Sequence, residues 1–65
     1  MDKQEMLEAM KLGHKVTHEM FTNDEWMCFT EDRYEFEDGC PFSLEEFWKF
    51  RQQPAWDTGW SIKVV

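Results

Sequence analysis

Sixty-five residues are enough for one domain, and at that size only about 60% of the unfolded chain's surface is buried, so such a domain leans on staples or partner subunits. Fourteen Asp plus Glu against seven Lys plus Arg give a net charge of −7, which argues against a nucleic-acid backbone as direct partner. Four Trp, six Phe and Tyr34 argue against a disordered chain, and they exceed what one small core hides, so some are expected at a subunit interface or in a pocket.

In chain order, Asp2 and Glu5 form a D-x-x-E cap signature. Met6, Leu7 and Met10 then fall at helical spacing and Gly13 suits the stop position, which predicts a helix over residues 2–12. From His14 to Met20 the period is two, with His14, Val16, His18 and Met20 on one face, as in a strand. Thr22-Asn23-Asp24 reads as a turn, Trp26 to Thr30 as a second strand, and Glu31-Asp32 as another turn. Tyr34 and Phe36 alternate with Glu35 and Glu37 in a third strand. Asp38-Gly39 signals a hairpin into a short edge strand, Cys40-Pro41-Phe42.

Ser43 and Glu46 form a second cap signature, and Leu44, Phe47, Trp48 and Arg51 follow one helical stripe that ends near residue 52, before Pro54. Residues 54–59 read as a loop, and Trp60, Ile62 and Val64 alternate in a last strand. The fold class expected is α+β, a small antiparallel sheet with two short helices on one face, in the order α-β-β-β-(short β)-α-β over a single domain.

The N-terminus is acidic and polar, and no apolar run approaches the roughly 18 residues of a membrane span. A cytoplasmic, non-membrane protein with Cys28 and Cys40 as reduced thiols is expected. His14, His18, Cys28 and Cys40 lack the paired spacing of structural zinc ligands, so neither a metal nor a cofactor is expected. No nucleophile elbow, phosphate loop or H-E-x-x-H occurs, so the expected role is binding rather than catalysis.

Lys11, His14, Lys15 and His18 form a basic island free of acids in an acidic chain; such an island lowers the cost of receiving an anion, though cations at a helix C-terminus also suit its dipole. Trp48 lies on the buried stripe of the second helix, whereas Trp56, in a loop, has the better claim to an interface or ligand. Glu31, Asp32, Glu35, Glu37 and Asp38 crowd five acids into eight residues, either a charged strand edge or a row that mimics phosphates.

The run Glu8-Ala9-Met10-Lys11-Leu12-Gly13-His14-Lys15-Val16 has the form E-A-[LM]-K-x-G-x-K-V, and His18, Phe21 and Asn23 follow it before a turn. With the ending Asp57-Thr58-Gly59-Trp60-Ser61-Ile62, the chain resembles the Thoeris anti-defence type 2 family of small bacteriophage proteins. The likeness covers the two ends, roughly a third to a half of the chain; the family usually has Arg and Trp where His18 and Phe21 stand, and the middle departs from its pattern. The resemblance implies a homo-oligomer in the host bacterial cytoplasm that sequesters a cyclic nucleotide or a cyclic ADP-ribose isomer without cleaving it. On that reading Lys15 or His18 meets the phosphates, Phe21 or Trp56 stacks on a base, and Asp57 accepts from ribose hydroxyls. The alternative is an acidic inhibitor that binds a host defence protein through Glu35, Glu37 and Asp38.

Overall fold

The computed structural model describes residues 1–64. Helix α1 (Lys3–Lys11) begins as its sequence predicts. The Asp2 carboxylate accepts the Glu5 N–H at 2.8 Å and the Glu5 carboxylate accepts the Asp2 N–H at 3.1 Å, so two otherwise orphaned donors are satisfied. At the other end Gly13 takes φ +96°, and the N–H groups of Gly13 and His14 return to the carbonyls of Met10 and Ala9. That is a Schellman stop, a conformation glycine adopts without steric cost. Met6, Ala9 and Met10, at i, i+3 and i+4, are the buried face.

Strands β1 (Val16–His18), β2 (Met27–Thr30), β3 (Arg33–Phe36), β4 (Pro41–Phe42) and β5 (Trp60–Ile62) form one antiparallel sheet in the order β4-β3-β2-β1-β5. The fold class is therefore the expected α+β one, with β4 and β5 at the edges. β1 is shorter than the residues 14–20 expected from its alternation. The helix stop takes Gly13 and His14, and beyond His18 the Met20 N–H turns back to the His18 ring. His14 and Met20 consequently lie exposed, while Val16 and His18 are buried.

The β2–β3 turn puts Glu31 and Asp32 at φ +53° and +64°, the doubly left-handed geometry that matches strand twist in a two-residue hairpin. In the β3–β4 turn Gly39 takes φ +84° and the Asp38 carboxylate accepts the Cys40 N–H at 2.9 Å. Helix α2 (Leu44–Lys49) starts at Ser43, whose hydroxyl accepts the Glu46 N–H, and stops at Phe50, short of residue 52. The Arg51 N–H closes on the Trp48 carbonyl instead, tightening the last turn ahead of Pro54. The segment expected to be plain loop opens with a 3₁₀ turn, Pro54–Trp56.

Register divides the sheet into two faces. Met27 pairs with Phe36, Phe29 with Tyr34, and Tyr34 with Phe42, all on the face shared by Val16, His18 and Trp60. This face carries the core with Met6, Ala9 and Met10 of α1 and Phe47 of α2, and the aromatic rings form a connected set within it. The opposite face carries Thr17, Ser61, Cys28 and Glu35. Among the described residues no helix is long and apolar enough to cross a membrane.

Both cysteines are free thiols. Cys28 is half-buried, and desolvation, helped by Glu35, raises its pKa. Cys40 is exposed, yet its hydrogen bond to the Asp38 carboxylate and that carboxylate's charge also raise its pKa. Cys40 should therefore react with iodoacetamide at pH 7.5 more slowly than an unperturbed exposed thiol, because less of it is thiolate. Asp38→Asn should bring the rate up toward that of an ordinary thiol, with Glu37 still slowing it; equal rates with and without the Asp38 carboxylate would contradict this arrangement.

Candidate ligand cleft

His18 is the residue around which the site is built. It is 2% exposed. Its Nδ1 accepts the Met20 N–H at 3.0 Å, so the ring proton sits on Nε2. From there it is shared between the carbonyls of Thr58, at 2.7 Å, and Ala55, at 3.0 Å. One side chain thus ties the end of β1 to the turn that follows it and to the loop that feeds β5. Trp56 lies 4.4 Å from the His18 ring and Trp60 lies 4.6 Å from it, edge-on. The Trp60 indole N–H donates to the Trp56 carbonyl at 2.9 Å, which fixes the second ring against the first.

Gly59 follows Thr58 at φ +87°, and a Cβ there would sit 3.0 Å from His18 Nε2 and 2.9 Å from Glu19 Cδ. The backbone can approach the imidazole because no side chain intervenes.

The chain leaving β1 folds back as a compact turn. The Phe21 N–H returns to the His18 carbonyl. The Thr22 N–H donates to the Glu25 carboxylate at 3.0 Å while the Glu25 N–H donates to the Thr22 carbonyl at 3.1 Å. The Thr22 hydrogen bonds lower the Glu25 pKa. The Thr17 hydroxyl donates to the Glu25 carbonyl at 2.8 Å, and the Lys63 ammonium donates to the Asn23 carbonyl at 2.6 Å, so β1 and β5 both grip this turn.

Between the turn and the β1–β5 pair lies an open cleft of about 440 Å³. Thr17, Ser61 and Lys63 line it from the sheet, Phe21, Thr22 and Asn23 from the turn, and Glu19 and Gly59 from its end. With His18 and Trp60 at its floor, the lining mixes three hydroxyls, an amide, one ammonium, one carboxylate, an imidazole and the rings of Phe21 and Trp60. Such a set accepts and donates hydrogen bonds around a polar ligand and offers a flat surface to a ring.

Of the five residues nominated from sequence, His18 and Phe21 line this cleft. The expectation for His18 is corrected: both ring nitrogens are taken by backbone groups, which leaves none for a phosphate. Phe21 lies half-buried at the cleft, with its ring edge-on to Trp60 at 5.8 Å. Lys15 lies elsewhere, its ammonium 4.4 Å from the centre of the Trp26 ring. Trp56 is buried in the core, not presented from a loop, because its 3₁₀ turn carries it under His18. Asp57 is paired with Lys3 at 3.1 Å on the surface and does not line the cleft.

Thr17, Ser61 and Lys63 went unnominated. Their signal was the alternation of β1 and β5, which sets them opposite His18 and Trp60. Among the described residues no group of three His, Cys, Asp or Glu side chains is placed to hold a metal ion. No known protein family, curated protein or solved structure matches the chain.

Proposed function

We propose that the protein is a non-catalytic binder of a small nucleotide-derived anion, a phage-type sponge that withholds a cyclic nucleotide or cyclic ADP-ribose-like immune signal by mass action. The observation that supports it most is the cleft of about 440 Å³, within the usual size range of small-ligand sites, where Lys63, three hydroxyls and the Phe21 ring converge in an otherwise acidic chain. Lys63 supplies charge for a phosphate, Thr17, Thr22 and Ser61 supply hydrogen bonds, Glu19 accepts from ribose hydroxyls, and Phe21 stacks on a base. The cleft is open to one side, and a second copy in a homo-oligomer would close it over the ligand.

The rival role, an acidic mimic of nucleic acid, has less support. Glu35 is engaged by Arg33, and Glu37 lies beyond the end of β3, so the two do not extend one row of charges along a strand.

A thermal-shift screen against cyclic nucleotides and cyclic ADP-ribose isomers tests the proposal. A ligand at 100 times its dissociation constant adds about 2.7 kcal/mol, or roughly 10–20 °C in a domain this small. One panel member should give such a shift and be recovered intact by chromatography. Lys63→Glu should weaken that ligand by about tenfold or more, since it reverses the one cleft cation. No shift with any member, or recovery of a cleaved product, would overturn the proposal.

A further inference from the structure

A second concavity shares no residue with the ligand cleft. It is a groove of about 270 Å³ lined by Phe36, Phe42, Glu46, Phe47, Phe50 and Arg51. Its floor is aromatic: Phe36 and Phe42 stack with ring centres 4.2 Å apart, and Phe47 lies 5.4 Å from Phe42. Phe50 stands at its rim, 74% exposed in spite of its size.

Arg51 is the polar member that calls for explanation. Its guanidinium carbon lies 4.1 Å from the centre of the Phe47 ring and 5.4 Å from that of Trp56, so two aromatic rings pack against it. Its Nη1 donates one long bond, 3.3 Å, to the Phe47 carbonyl, and its buried Nε–H has no acceptor among the described residues. In a chain with fourteen acids, the ion pairs among the described residues are Lys3–Asp57 and Arg33–Glu35, and neither reaches Arg51. The Glu25 carboxylate feels the Arg51 charge but closes no ion pair with it, and a guanidinium without a carboxylate in hydrogen-bond contact suits one, because its planar fork matches two oxygens at once. Lys49 adds a second cation beside the rim, its ammonium 5.9 Å from the Phe50 ring.

We infer that this groove binds a small aromatic carboxylate, its ring against Phe36, Phe42 and Phe50 and its anionic end on Arg51. The capacity suits one or two fused rings rather than a nucleotide, so the site is separate in chemistry as well as in place from the ligand cleft. Glu46, on the same wall, opposes the anion and limits its affinity.

The probe is indole-3-acetate, titrated into the unaltered chain and followed by amide NMR shifts. Tryptamine and indole carry the same ring with a positive charge or none. Indole-3-acetate should saturate in the millimolar range or below with shifts at Phe42, Phe50 and Arg51, and tryptamine should bind about tenfold more weakly. Arg51→Lys should lose most of the preference for the anion because a point charge lacks the fork. Glu46→Gln should strengthen binding by about twofold to threefold. Equal binding of the three probes, shifts confined to the other cleft, or no saturation would overturn the inference. So would concentration-dependent shifts at these residues without any probe, since a second copy would then fill the groove. The comparison of probes uses the unaltered chain and stands even if the Arg51 variant folds poorly.

Discussion

His18→Ala is expected to remove about 3–4 kcal/mol of stability, measured without any ligand present. The imidazole fills the space between Trp56, Trp60 and Phe21, and its deletion leaves a cavity among rings that are themselves fixed. It also strands three backbone groups, the Met20 N–H and the carbonyls of Ala55 and Thr58. An unpaired buried polar group costs about 1–3 kcal/mol, less where water can enter. On the usual per-residue scale, a chain of this length has only about 3–10 kcal/mol in total. The melting temperature should fall by roughly 12–32 °C. His18→Asn should recover part of the loss, since an amide oxygen can still accept the Met20 N–H but its donor cannot span to residues 55 and 58. A fall of less than about 4 °C for the alanine variant would mean that His18 is not the link between β1 and β5 described above.

Gly59→Ala should cost about 2–4 kcal/mol, for two separable reasons. An alanine at φ +87° is in a region L-residues avoid, and its Cβ would press on His18 Nε2 at 3.0 Å. Glu19 is an exposed side chain that can move aside, whereas the imidazole is held by its own hydrogen bonds. Gly39 provides the control: it has a similar φ of +84° and open space where a Cβ would go. Gly39→Ala therefore reports the backbone cost alone, about 1–2 kcal/mol, and the excess at Gly59 reports the contact with His18. Combining Gly59→Ala with His18→Ala should cost less than the sum of the two, because the contact disappears with the ring. Equal losses at Gly39 and Gly59, or strict additivity with His18→Ala, would remove the steric part of the argument.

The elements were legible where local rules act alone. Asp2 with Glu5, Gly13, Ser43 and the Asp38-Gly39 turn each announce a start or stop whose partners lie within a few residues. The site was less legible because its members meet through pairing distant in sequence. The alternation of His14 to Met20 gives the right face for Val16 and His18, but on the other face it singles out Lys15 and gives no reason to prefer Thr17. Register places Thr17 opposite Ser61, and the cleft opens on their side. Trp56 looked like a loop residue free to stack on a ligand because nothing local shows that a 3₁₀ turn brings it beneath His18. Lys15 stands in an acid-free basic island in sequence, yet Trp26, eleven residues on, packs its ring against that ammonium. Lys63 was hidden by its neighbours, since an alternating strand end reads as a solvated edge.

Amide NMR of the chain titrated with the panel member that gives the thermal shift tests the central claim most directly. The account predicts saturable shifts at Thr17, Phe21, Thr22, Asn23, Ser61 and Lys63, with Lys15 and Asp57 little moved. A tight ligand whose shifts centre on Lys15, Trp26 and Asp57, or no shifts along the β1–β5 cleft, would contradict it.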